Sequence, residues 1–166
     1  MANEAYVKTG TNLLFSGDAG ADVAWSMEGI SNGAGRVSAQ RDLGASPRPG
    51  WYKWSCEVQW QATPTQGAGL ELYASGAPDG DSTQIDGDVG ATDAALGDVD
   101  MRRNLTYVGI VISENAAASE KCVASGVLFW PHRYISMVGY NAAGASTNAT
   151  DSNFRFDFMP FSWQGQ

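Results

Sequence analysis

Trp51-Tyr-Lys-Trp-Ser-Cys-Glu-Val-Gln-Trp-Gln-Ala62 decides the fold. Tyr52, Trp54, Cys56, Val58, Trp60 and Ala62 fall on one face of an extended strand, and Lys53, Ser55, Glu57, Gln59 and Gln61 on the other. This is strict alternation over about twelve positions, with β-favouring aromatics on the apolar side. On a helix the same residues would spread round the cylinder and bury Lys53 or Glu57 among the tryptophans. The stretch therefore predicts a long antiparallel strand with one dry and one wet face. A hairpin alone cannot cover three large aromatics, so a second layer must pack over them.

Working outward, the neighbouring segments repeat the pattern. Leu70–Ala74, Leu105–Ile112, Lys121–Trp130, His132–Tyr140 and Phe154–Met159 read as strands, separated by Gly-, Pro-, Asn- or Ser-rich turns. Ser46-Pro-Arg-Pro-Gly50 is a firm break, because two prolines remove donors and fix φ. Residues 1–45 hold short apolar pieces between turn clusters, which predicts short strands or an extended N-terminal arm. The tail from Pro160 onward is read as lying outside the last strand. About eight strands, and no convincing amphipathic helix, predict one domain over 1–166. It is an all-β, antiparallel two-sheet sandwich of jelly-roll type. The chain begins without a basic, apolar leader and has no stretch of membrane-spanning length, so synthesis in the cytoplasm is expected.

Charge is unevenly placed. The formal charge is −8, and the stretch 76–100 alone carries seven aspartates with no Glu, Lys or Arg. Residues 76–104 are therefore expected to form a long acidic loop insertion, solvated and facing outward. No basic stripe appears, which disfavours nucleic-acid binding. Cys56 and Cys122 are too few for a disulfide framework and are expected as buried thiols.

Chemistry finds little support. The single histidine, His132, has no nucleophile or aspartate placed beside it by any motif, so a rim position is expected. Asp79-Gly-Asp81 and Asp86-Gly-Asp88 offer hard oxygens for Ca²⁺ but lack the remainder of an EF-hand loop. Glu57 and Glu71 are the one carboxylate pair that a glycosidase reading could use. Neither a catalytic residue nor a cofactor or metal is assigned. The 18 aromatics exceed what a small sandwich needs inside, and Trp25, Trp130, Phe161 and Trp163 sit at element ends. They are expected as partner-interface anchors. Exposed aromatics in a row would instead favour sugar stacking, with Trp25, Trp51, Trp130 and Trp163 as candidates.

Several pieces, in order along nearly the whole chain, resemble small virion proteins of tailed bacteriophages. They are Asn3-Glu-Ala-Tyr-Val-Lys-Thr-Gly-Thr-Asn-Leu-Leu-Phe15, Gly33-Ala-Gly-Arg-Val-Ser-Ala-Gln40, Arg103-Asn-Leu-Thr-Tyr-Val-Gly109, Val123-Ala-Ser-Gly126, Arg133-Tyr-Ile-Ser136 and Asn141-Ala-Ala143. The resemblance implies a virion role without catalysis and transfers no active-site residue. Jelly-roll proteins of this size serve such phages as head decoration (cement) proteins, often as trimers. The expectation is therefore a structural protein on the capsid exterior whose partners are the major capsid protein and its own copies. The rival expectation is a carbohydrate-binding jelly roll of a head-fibre or tail accessory protein.

Overall fold

The computed structural model describes residues 5–45, 47–78, 83 and 85–165, with the backbone alone at 5–8, 151 and 163–165. Twelve strands run in chain order: β1 Ala5–Thr9, β2 Leu13–Ser16, β3 Val23–Ala24, β4 Gly35–Val37, β5 Arg41–Asp42, β6 Trp51–Gln59, β7 Gly69–Ala77, β8 Ala94–Ala95, β9 Thr106–Ile112, β10 Lys121–Phe129, β11 Tyr134–Asn141 and β12 Phe154–Gly165. They form two sheets. Sheet A has the order β10-β6-β12-β2-β3, with β1 also on β12; sheet B has the order β8-β4-β11-β7-β9, with β5 also on β11. All pairings are antiparallel except the short β2–β3 contact.

The pairings nest. β2 pairs with β12, β4 with β11, β6 with β10 and β7 with β9, and successive pairs fall alternately in sheets A and B. A ribbon folded back on itself and wound round a core in this way is a jelly roll. No helix among the described residues is long and apolar enough to cross a membrane.

β6 is the central scaffold, as its alternation predicts. Tyr52, Trp54, Cys56, Val58 and Trp60 are buried, and the ladder runs to Gln59, with Trp60 adding a single bridge to Thr147. Tyr52 stacks on Phe158 with centroids 4.3 Å apart, and Trp54 lies over Phe156 at 6.2 Å. Cys56 and Cys122 are free and buried, and burial pushes both thiols up.

Four expectations need correction. Trp25 and Trp130 are not surface anchors but among the largest fully buried side chains. Trp25 sits 5.0 Å edge-on from Phe154 and donates its indole N–H to the Arg36 carbonyl; Trp130 donates to that of Tyr134. Short strands leave the ends of a sandwich open, and large aromatics just beyond the strands close them. For residues 5–45 the short-strand alternative holds and the extended arm does not: they supply β1 to β5, and Phe15, Val23, Trp25 and Met27 are core residues. The last strand does not stop at Pro160 but runs on to Gly165 against β1. N–H and C=O of one residue face the same strand edge, and Pro160 accepts from Gly10 in the gap between β1 and β2. Its missing donor therefore falls where the ladder is already interrupted.

The fourth correction concerns the acidic stretch. Val89, Leu96, Val37 and Val138 form a second small core, with Tyr73, Ile85, Ala94, Met101 and Leu105 packed on it. Residues 85–105 thus lie over the outer face of sheet B. Asp93, half-buried, accepts from the Ser26 backbone and hydroxyl (3.2 and 2.6 Å) and from Arg36. The Asp86 carboxylate accepts from Gly76 N. These aspartates fasten the segment rather than merely solvate it. Asp79 and Asp81 lie outside the described residues.

Candidate interaction face on sheet A

Residues 85–105 cover much of the outer side of sheet B; no described residue lies over the outer side of sheet A. Alternation sends Trp51, Lys53, Ser55 and Glu57 of β6 outward, and register sets their neighbours. Phe129, Trp51 and Phe161 make one row across β10, β6 and β12. Val127, Lys53 and Met159 make the next, then Ser125, Ser55 and Asp157, then Val123, Glu57 and Arg155. The face therefore grades from aromatic at one end to charged at the other. Trp51 is 45% exposed, Phe129 53%, Val127 57% and Val123 66%; Phe161 is half-buried.

The aromatic end is held in place. Phe129 and Trp51 have ring centroids 5.1 Å apart at 59°. Phe129 also lies on Gly50, where an added Cβ would come within 2.9 Å of its ring. Gly50 leaves room for the ring in this position. Below the row, Thr9, Lys53, Val127, Met159 and Phe161 line a shallow hollow of about 200 Å³. It adjoins a polar groove of about 440 Å³ that includes Asn12, Ser55, Arg155 and Asp157. At the charged end, Lys121 pairs with Glu57 at 2.8 Å, and Arg155 grips Asp157 with two bonds of 2.7 and 2.8 Å. The Arg155 guanidinium outweighs burial and holds the Asp157 carboxyl below its usual range.

Of the anchors expected from sequence, Phe161 belongs to this face. Trp163 is in β12 opposite Val7, and its side chain lies outside the described residues. Trp51 and Phe129 are the residues that sequence reasoning missed as anchors. Their signal was parity: Trp51 shares its face with Lys53, and Phe129 shares its face with Val127 and Ser125.

The chemical candidates do not assemble. Glu57 lies on the outer face of sheet A, while Glu71 lies on that of sheet B, bonded to Tyr73 (2.6 Å) and Arg102 (3.2 Å). No sandwich brings such a pair into one cleft. His132 stands edge-on to Trp130 at 5.2 Å, at the rim. No group of three or more His, Cys, Asp or Glu side chains able to hold a metal gathers among the described residues.

No family model matches the chain, and no curated protein matches it. Among solved structures, the chain is similar in shape to murine APRIL, in a crystal structure at pH 8.0. The identity is 13% and the TM-score 0.41, over 95% of this chain and 99% of that one. Nothing about activity or assembly is carried over from that likeness.

Proposed function

We propose that the protein is a non-enzymatic structural protein of a tailed-phage virion, a capsid decoration or cement protein. It self-associates, as a homotrimer, and binds the major capsid protein on the capsid exterior. The observation that carries the reading is the Phe129–Trp51–Phe161 row on an uncovered sheet. Rigid aromatics in an apolar patch, rimmed by charge, are the composition of an interface hot spot. The sequence resemblance to phage virion proteins supplies the setting. Each contact can be weak, because engaging several subunits at once multiplies avidity.

Light scattering on the purified protein, alone and with particles that lack it, tests this. A trimer that saturates the shell at fixed stoichiometry and raises its heat resistance is the expected result. Trp51→Ser and Phe129→Ser are expected to abolish both associations. Because each side chain is about half exposed and the two pack on each other, each change is expected to cost the fold about 1 kcal/mol, too little to unfold it. A monomer that ignores capsids would overturn the reading. The polar groove beside the aromatic row favours one rival, carbohydrate binding, since stacking rings beside polar groups suit a sugar. Retention on a glycan array by a monomer would select it.

A further inference from the structure

β10 is the end strand of sheet A: β6 pairs with one of its edges, and no strand among the described residues pairs with the other. The hydrogen bonds fix which groups are left over. Trp60 N donates to the Glu120 carbonyl and Trp130 N to that of Gly50, so the even-numbered residues of β10 exchange bonds with β6. The odd-numbered ones, Lys121, Val123, Ser125, Val127 and Phe129, therefore turn N–H and C=O to the open edge. β9 of sheet B touches both β10 and β6, and thus runs beneath this edge rather than beside it. Ala124 and Gly126 face inward yet stay partly exposed, as residues at an open margin do.

Natural proteins blunt a long free edge with a proline, a bulge or a central lysine. β10 has none of these. It pairs with β6 over nine residues without a register shift, and its one charged residue, Lys121, stands at its start. The end strands β3 and β8 have two residues each, and the ladder of β9 is broken by a bulge. The net charge of −8 opposes self-association, but β10 itself carries no acid.

The strand is self-complementary about Ser125. Laid antiparallel on a second copy with Ser125 opposite its mate, all nine residues pair, and Val123 meets Val127 in both directions. Lys121 then falls beside Phe129 of the second copy, a cation against an aromatic ring. Registers shifted by two residues leave ends unpaired and set Ser125 against a valine. We infer that β10 pairs with β10 of a second copy about a two-fold axis at Ser125, fusing two six-stranded sheets into one. The inference does not rest on the virion reading. It joins copies in pairs, whereas the trimer of that reading needs a different contact.

Light scattering and thiol crosslinking of the full-length protein test it. Ser125→Cys is expected to crosslink copy to copy with a short bifunctional thiol reagent; wild type, whose two thiols are buried, is the blank. Ser55→Cys, in the same row, lies three strand spacings from its mate, about 14 Å, and is expected not to crosslink. Ser125→Lys and Ser125→Asp each set like charges face to face at the axis, and each is expected to weaken pairing about fivefold or more. Mixed together, the two are expected to restore it. Trp51→Ser, which tests the virion reading, leaves the ladder in place, so pairs are expected to remain where the trimer is lost. A wild type that stays monomeric overturns the inference, as does a self-associating one whose Ser125→Cys variant does not crosslink. So does a Lys–Asp mixture that pairs no better than either variant alone.

Discussion

Trp54 shows how one side chain dictates others. Its ring fills the space above Gly126, its partner across β6–β10, and above Gly109 of β9. A Cβ at Gly126 would fall 2.8 Å from the indole, and one at Gly109 2.7 Å. Gly126→Ala and Gly109→Ala are each expected to cost about 1–3 kcal/mol by overpacking, read as a lower midpoint in urea at unchanged slope. Unchanged midpoints would mean that the indole moves freely. Asp93 offers the pH test. Burial pushes its carboxyl up, but the bonds from Arg36 and Ser26 outweigh this and hold it below the ordinary 3.8. Its contribution is thus fully present above the unfolded value and is lost as pH falls through the lowered folded one. Asp93→Asn is expected to destabilise at neutral pH and to flatten the loss of stability as pH falls below the ordinary carboxylate value. A titration curve as steep as wild type would rule out this role. Parity made the outward direction of Trp51 legible. The burial of Trp25 and Trp130 follows the same parity, Trp25 with Val23 and Trp130 with Leu128, but their place at strand ends was read as exposure.

Among the elements, the cover over sheet B was the least readable. Ile85, Val89, Ala94, Leu96, Met101 and Leu105 follow neither period two nor period 3.6, so the aspartates dominated the reading. What orders the segment is not its own pattern but the apolar face of sheet B beneath it, above all Val37 and Val138. β6, β7, β9, β10 and β11 were legible because each is long enough to alternate. β3, β5 and β8 have two residues each and carry no period at all. Leu96 is the keystone of the cover, reaching within 3.0 Å of a Cβ placed at Gly35. Leu96→Ala is expected to cost about 2 kcal/mol and to open residues 85–105 to limited proteolysis. The near-UV signal of the tryptophan core should stay intact. Simultaneous loss of that signal would show that cover and sandwich unfold as one unit.

For the molecule as a whole, nesting has a kinetic consequence. Even the innermost pair, β7 with β9, is separated by residues 78–105, and the outermost joins the two ends of the sequence. Nearly every ladder must close a long loop before contacts reward it. Refolding followed by tryptophan fluorescence is therefore expected in the millisecond-to-second range. A microsecond phase carrying the full amplitude would contradict this. The two broad faces also differ in kind: one is capped by an acidic segment, the other is open and aromatic. The proposed self-association through the open face is expected to persist at about 1 M salt, where exposed charge pairs are screened, and light scattering at that salt checks it. The pairing of Ala5 with Gly165 has another consequence, a mechanical one. Stretched by its two ends, the chain would peel β1 from β12 like a zip, loading hydrogen bonds one after another instead of shearing the ladder at once. Pulled this way the domain is expected to yield at low force. Pressed or tugged across its broad faces, the whole sandwich bears the load together.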